Sequence, residues 1–537
     1  MEVAESILTP IDTIIIVAYL GAVLVLGYLF SRYVKSSGDF ILAGKSLPFW
    51  AIGMSVVVSD IGAIDMVSGA GAAYKYGLAQ ANFDWLGSVP AMVIVAFVFV
   101  PFYWRSGVCT LPEFLGRRYG PAVRFFQAVI WLGFLLSMLA VMLWTSAVFL
   151  NTVLGMPNQA AIWLTVFVVG IYTILGGLAA VVVTDAMQMV IMFIGAGALL
   201  GLSLWEIGGW TNMVQTISAM GPQFEQHFNL LISSQIDTPY PWSGMLMGLG
   251  IVLSTAYFSS NQAVIQRVLG ARSEWDAKAS MLLAAFLKLL IPVLVLLPGL
   301  AALALYPELE DPDKAVPKLV RELLPPGLAG LVFAAFFAAL MSSVDSYLNS
   351  ATTIIISDGY KPASRALSGK EPDDRHCLLL TRVLTGVLIV AAGFLAPYID
   401  QFETIYTAMQ TLFSLFQGPT LAVLVLGVFW RRANAWGGFA GLLLGVICST
   451  CLSLVGESLF GVVSTLEEWL GFRYGPLSGN PFLYVAFLAF AFSLIVTVIV
   501  SLLTPPPSKN QIRGLVFGEV VRDEVIQTLL KERIQSD

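Results

Sequence analysis

Asp60 and Asp65 sit near the middle of a stretch, Trp50 to Tyr74, that is otherwise apolar and long enough to span a bilayer. A charged side chain deep in hydrocarbon costs at least ~2.5–3.5 kcal/mol, so it persists beside a cavity, an ion or a partner. Gly53, Gly62, Gly69 and Gly71 surround the two aspartates, and each glycine weakens a helix by roughly 1 kcal/mol relative to alanine. The combination predicts a membrane helix that breaks around Val57 to Gly62, with freed carbonyls able to hold a cation. The competing reading is a glycine-rich helix packed tightly on its neighbours, with both aspartates hydrogen-bonded inside. A second polar set lies in AALMSSVDSYLNS, where Ala339, Ser342, Ser343 and Ser346 follow i, i+3, i+4, i+7 and share one helical face. Asp345 borders that face. Hydroxyls and a carbonyl so spaced supply the oxygen ligands of a small hard cation; serine bonding between packed helices is the alternative.

Further polar residues interrupt apolar runs: Asp84 in QANFDW, Asp185 in VVVTDAMQ, Lys288 in AAFLKLLIP, and Gln410 one helical turn after Tyr406. Asp84 and Asp185 can reach an interface by snorkelling. Lys288 is too deep for that, and its ammonium needs an acceptor or water. Asp65, Asp84 or the hydroxyls of a bound solute are the expected partners.

The elements that must position these groups are membrane helices. Of 537 residues, 58% are hydrophobic and 12% charged, and the mean hydropathy is +0.83, which is a polytopic membrane protein's composition. Spans of the needed length, about 20 apolar residues, are expected over 11–31, 47–76, 81–104, 121–151, 159–177, 182–206, 241–267, 279–306, 327–357, 378–398, 401–430, 435–456 and 482–504. If they alternate, the basic loops fall on one side, including those with Lys35, Arg117, Arg118, Arg124, Arg267 and Arg432, while Glu206 to Trp242 holds no Lys or Arg. The positive-inside rule then puts the N-terminus outside and the C-terminus in the cytoplasm. The first span lacks a basic leader and a small-residue cleavage site, so it reads as a true span. Gly514 to Glu532 reads as a short amphipathic tail segment.

Several activities are excluded. No Walker loop is present to bind ATP, no Cys/His spacing fits zinc or haem, and no basic patch with interleaved aromatics points to nucleic acid. The net charge of −6 says little, because charge here is sorted by side.

IYTILGGLAAVVVTD, Ile171 to Asp185, resembles the signature of the sodium:solute symporter family, with Gly176-Gly177 following an aromatic-threonine pair. DFILAGKSLPFWAIGMS, CTLPEFLGRRYG, NQAVIQR, AAFLKLLIPVLVLLPGLAA and LMSSVDSYLNSATTI resemble its sodium/glucose and sodium/galactose branch, from about Ser37 to Trp430. The resemblance implies an all-α protein of about 13 transmembrane helices in LeuT-like inverted five-helix repeats, at 47–206 and 241–430. Residues 1–46 add an extra helix and linker, 207–240 an extracellular loop, 431–504 accessory helices and 505–537 a cytoplasmic tail. It also implies a multi-pass protein of the plasma or inner membrane that uses the Na+ gradient to import a small solute by alternating access. The family's sodium ligands fall on the Val58, Ile61 and Ala339 carbonyls and the Ser342 and Ser343 hydroxyls. Its sugar-binding positions fall on Asp65, Asp84, Ser254, Lys288 and Gln410, with Tyr257 as inner gate and Phe83 and Tyr406 as outer gates. Some members hold a second sodium near an aspartate matching Asp185 and late serines of the serine-rich helix. Here Ser346 is kept and Asp345 stands at a serine position, so a second sodium or a shared proton is expected; the alternative is Asp185 paired to a cytoplasmic arginine, with Asp345 hydrogen-bonded to serine.

Departures bear on the solute. Asp65 replaces a neutral Gln or a His, Asp84 a Glu, Ser254 an Asn of bacterial members, and Asp60 occupies an Asn position. The extra carboxylate fits a polyol, an amino sugar or another solute with a positive group. Lys288 and Gln410 favour a hydroxyl-rich ligand. The expected function is a sodium-coupled symporter of a sugar or sugar-like solute. The alternatives are a carrier of an amino acid or cationic solute and a sensor that no longer transports.

Overall fold

The computed structural model describes residues 9–31, 37–175, 178–233, 238–370, 372–402, 405–454 and 482–517. Among these residues the chain is almost entirely helical, with only the isolated bridges Leu47–Ala271 and Ile232–Pro241 in extended pairing. Lipid offers the backbone no hydrogen bonds, so an apolar run satisfies its own amides and carbonyls as helix. The helices are α1 (Pro10–Ser31), α2 (Phe49–Asp60), α3 (Asp65–Ala81), α4 (Phe83–Val98), α5 (Pro121–Leu154), α6 (Asn158–Leu175) and α7 (Leu178–Ile207). Then come α8 (Trp242–Ser260), α9 (Gln262–Leu269), α10 (Glu274–Leu305), α11 (Leu328–Ser368), α12 (Asp374–Gln401), α13 (Ile405–Phe429), α14 (Ala435–Leu454) and α15 (Phe482–Leu503).

Every stretch expected to span is helical where described. By length and composition, nine described helices can cross a membrane, or eleven if each of two bent pairs is one span. The serine-rich helix runs further than expected, to Ser368, through a π-helical turn at Ile355–Tyr360. The Gly176-Gly177 pair and the tail beyond Phe517 lie outside the described residues.

Among the described residues helices are interrupted at Ile61–Gly62 and at Asn261, and α4 bends by 43° into Val100–Ser106. α2 holds to Asp60, the break is confined to Ile61 and Gly62, and α3 leaves at 59° to it. The second interruption, between α8 and α9, was not expected. Asn261 there takes an extended ψ of 117° and its side chain accepts the Ala263 amide at 2.9 Å, capping α9. Asparagine is a preferred N-cap, and that was the available sequence signal.

α2 packs on α7, α10 and α11, and α7 packs along α11. Small residues allow the close approach: a Cβ on Gly53 would lie 2.9 Å from the Ser280 carbonyl of α10. α13 is fixed at both ends. Arg118, fully buried and read from sequence as a loop cation, donates to the carbonyls of Gly427, Trp430 and Ala433 at 2.8–2.9 Å. Gly427 is in the last turn of α13, where helix carbonyls lack intrahelical amides, and Trp430 and Ala433 follow its end. Arg124 likewise pairs with Asp358 at 2.7 Å instead of lying loose in a loop. At the start of α13 the Ile405 amide donates to Asp313 Oδ2 at 3.0 Å, across from the loop before α11.

Asp313 is buried, and that burial pushes its carboxyl from 3.8 up to about 7, with Asp311 adding to the rise and the Ile405 amide and Lys75 opposing it. The folded chain therefore keeps a proton that the unfolded chain releases. Stability falls as pH rises through that window and is level on either side. Asp313→Asn removes this contribution, so its unfolding midpoint in detergent should vary less than wild type's between about pH 4 and 7. Parallel curves for the two proteins would rule the effect out.

Candidate functional site

Asp60, Asp65, Asp84, Ser254, Lys288, Ser343 and Gln410 converge on one cavity, lined by α2, α3, α4, α5, α8, α10, α11 and α13. Several of them lie in or beside π-helical turns: Asp65 opens Asp65–Gly69, Asp84 lies in Phe83–Ser88, Ser254 follows Met245–Leu253, and Lys288 precedes Pro292–Leu296. A π-turn interrupts the i→i−4 ladder and re-aims side chains, which is why such turns recur at functional sites.

Lys288 is the centre of the cavity's charge. Its Nζ lies 2.5 Å from Asp60 Oδ2 and 2.7 Å from Asp84 Oδ1, and only 5% of the residue is exposed. The expected pair with Asp84 is present. The other partner is Asp60 rather than Asp65, because Asp60 ends α2 directly against α10. Asp84 is buried, so the snorkelling alternative does not describe it. Asp65 borders the cavity and has no ion-pair partner among the described residues. Ser254 also lines the wall, and Gln410 Nε2 donates to the Tyr406 hydroxyl at 2.9 Å.

Aromatic rings close both ends. At one, Phe83 meets Tyr406 edge-on with centroids 5.2 Å apart, and Tyr240 packs behind Phe83 at 5.5 Å. At the other, Tyr257 meets Phe413 at 5.2 Å, and the hydroxyls of Tyr257 and Tyr347 are 3.3 Å apart. Sequence reasoning missed two glutamines on this wall. Gln80 Oε1 and both amide atoms of Gln417 are buried without hydrogen-bond partners. Gln417 lies seven residues after Gln410 on α13, the same helical face, which was a legible signal.

The serine stripe of α11 faces the break in α2. Ser343 Oγ donates to the Ser59 and Ala339 carbonyls, both at 3.0 Å, and Ser342 Oγ lies 2.8 Å from Ser59 Oγ. A Cβ on Gly62 would collide with Ser343 Oγ, so glycine is needed where the chain turns away. The Ile61 amide closes the last turn of α2 on Val57. Carbonyls beyond it, including those of Val58 and Ile61, lie past the helical ladder.

Deeper along the same helices, Asp185 is buried and bound by an arginine. Arg267, read from sequence as a loop cation, is 1% exposed. Its guanidinium donates to Ser55 Oγ at 2.6 Å, Ser59 Oγ at 2.8 Å, Asp185 Oδ2 at 3.2 Å, and Ser346 Oγ. Ser346 also donates to Asp345 Oδ1 at 3.2 Å. The arrangement is that of the alternative reading: Asp185 is paired to an arginine and Asp345 is hydrogen-bonded to a serine. Arginine's planar fork can serve several acceptors at once, which lets it be buried.

A profile of the sodium:solute symporter family matches residues 40–445. The chain belongs to the sodium:solute symporter family. A symporter is a multi-pass membrane transporter and not an enzyme, and sodium is its coupling ion. The chain is 31% identical over 540 residues to sodium/glucose cotransporter 1 of Mus musculus, covering 94% of this chain and 80% of that one. It is 30% identical over 555 residues to the sodium/myo-inositol cotransporter of Homo sapiens, covering 96% and 76%. A solved Na+-coupled sialic acid symporter, in a substrate-bound outward-open state, superposes with a TM-score of 0.79 at 22% identity, over 93% of this chain and 99% of that one. The symporter therefore has the LeuT-like fold, a fold in which helices are commonly discontinuous.

Removing one partner of a buried ion pair costs about 3–5 kcal/mol, because the other charge is left uncompensated. Lys288→Met should accordingly lower the thermal-unfolding midpoint in detergent, and Lys288→Met with Asp60→Asn should recover part of the loss. No recovery in the double variant would show that Asp60 does not carry the pairing.

Proposed function

We propose that this symporter uses the sodium gradient to import a small, hydroxyl-rich, sugar-like solute across the plasma or inner membrane. The observation that carries the reading is the mixed donor and acceptor set facing one cavity: Lys288, Asp84, Asp65, Ser254 and Gln410, with aromatic rings at both ends. Sugars present alternating donors and acceptors on a compact ring, and a few convergent polar groups in an otherwise apolar pocket suit them. The relatives named as sodium/glucose and sodium/myo-inositol cotransporters support the same class.

In this reading the sodium sits where the Val58, Ile61 and Ala339 carbonyls and the Ser342 and Ser343 hydroxyls converge. Phe83 and Tyr406 are the outer gate and Tyr257 the inner. Residues 47–206 and 241–430 are the two inverted repeats that alternate access; 1–46 and 431–504 are accessory helices, 207–240 an outer loop and 505–537 a tail. One sodium per solute is the expected coupling, since Arg267 supplies the positive charge beside Asp185, Asp345 and Ser346.

Uptake in proteoliposomes, with and without a sodium gradient, tests this across labelled sugars, polyols and amino acids. Transport of amino acids alone would overturn the sugar reading. Ser343→Ala removes one of about five oxygen ligands, so the half-saturating sodium concentration should rise ~10-fold or more while expression is kept. Unchanged sodium dependence would put the ion elsewhere. Gln410→Ala, losing one hydrogen bond of about 1–1.5 kcal/mol, should raise the solute KM about tenfold with sodium dependence intact. A reversal potential reporting two sodium ions per solute would mean that Arg267 yields its place.

A further inference from the structure

Resting on the proposed sodium-coupled uptake of a hydroxyl-rich solute, we propose that the preferred solute also carries a single basic amino group, received by Asp65 and Gln80. Three carboxylates line the cavity, those of Asp60, Asp65 and Asp84, against one cation among the described residues, Lys288. Lys288 is already committed to Asp60 and Asp84. The proposed sodium site adjoins this cavity through Ser343 and Gly62, which are part of its wall. One ammonium and one sodium offset two of the three negative charges. When the aromatic ends close, the third carboxylate is neutralised either by a proton or by a positive charge on the solute. An unpaired charge in a water-poor interior is strongly disfavoured, so a solute with one positive charge fits where a neutral one leaves a deficit.

Acceptor geometry points the same way by a separate route. Gln80 is 1% exposed, and its Oε1 has no hydrogen-bond donor. Gln80, Asp65 and Tyr406 all line the cavity. A buried acceptor without a donor is costly, and Gln80 is part of the wall that a ligand in the cavity would meet. The Asp65 carboxylate and the Gln80 amide oxygen are two acceptors on the same cavity wall, the first without an ion-pair partner and the second without a donor among the described residues. An ammonium brings up to three donors and no acceptor, whereas a hydroxyl brings one donor and adds lone pairs. Lys288, Ser254 and Gln410 supply donors elsewhere on the wall for the ring hydroxyls, so the amine and hydroxyl ends are told apart by position.

The test uses the full-length protein in sodium-loaded-outside proteoliposomes, with paired probes: a hexose and its 2-amino-2-deoxy analogue, and myo-inositol and an aminodeoxy-inositol. The expected result is at least a tenfold higher kcat/KM for the amino member of one pair, and a reversed preference in Asp65→Asn. Reversal potentials on wild type provide a measurement that does not depend on the variant folding. Two charges should move per amino solute: one sodium and one ammonium. Equal or better transport of the neutral members, with Asp65→Asn unchanged in preference, overturns the inference while leaving sodium-coupled sugar transport standing. A neutral hexose moving two charges, faster at acid pH, also overturns it, since a proton then takes the third position. If no hydroxylated probe of either kind is carried, the underlying sugar-like reading fails, and this inference with it.

Discussion

The ammonium of Lys288, buried among carboxylates inside an apolar bundle, is the interaction on which the site's arrangement depends. A charge at that depth requires a partner close by, and here Asp60 and Asp84 stand at 2.5 and 2.7 Å. Asp60 is the last residue of α2 and Asp84 opens α4, so one side chain of α10 ties together the broken helix and its neighbour. Trp85, next to Asp84, adds a bond from its Nε1 to the Leu289 carbonyl at 3.1 Å, beside Lys288. The position of the α2 break is therefore fixed from outside the helix as well as by its own glycines.

A second buried cation acts on the same helix. Arg267 grips Ser55 and Ser59, one turn apart on α2, together with Asp185 of α7 and Ser346 of α11. Ser59 also passes its carbonyl to Ser343. Residues 58–61 thus carry the proposed sodium carbonyls, the serine contact and the Lys288 partner within one turn of chain. Anything that shifts the end of α2 changes the sodium ligands and the solute-facing charges together. Coupling between two ligands needs a shared element whose position both of them bias, and in this symporter the end of α2 has that geometry.

The opposite wall is held differently. α13 has no buried cation of its own, but Arg118 takes up the carbonyls at its C-terminal end and Asp313 the Ile405 amide at its start. Between those anchors it presents Tyr406, Gln410, Phe413 and Gln417 to the cavity. One helix thus supplies a ring to each aromatic closure and the amide between them. The ring faces in edge-to-face contact carry no charge to be left uncompensated when they part, unlike the ion pairs on the α2 side. The cavity wall is consequently fixed by charge on one side and closed by apolar contacts on the other.

By itself, the sequence determined the membrane class, the placement of the helices, the break in the first of them and the serine face of α11. Each follows from local physics: apolar length, glycine spacing and helical periodicity. Resemblance added the set of cavity residues, and the structure does bring Asp65, Asp84, Ser254, Tyr257, Lys288, Tyr406 and Gln410 to one cavity. Only the tertiary structure decided which carboxylate Lys288 holds, because periodicity assigns a residue to a face without saying which distant helix that face meets. It also decided that Arg267 and Arg118 are interior. An arginine beside a polar motif looks like a loop cation until other helices are seen to supply its acceptors. The interruption at Asn261 and the unpartnered amides of Gln80 and Gln417 became apparent for the same reason: a buried polar group acquires meaning from what surrounds it, and those surroundings come from segments hundreds of residues apart in the chain.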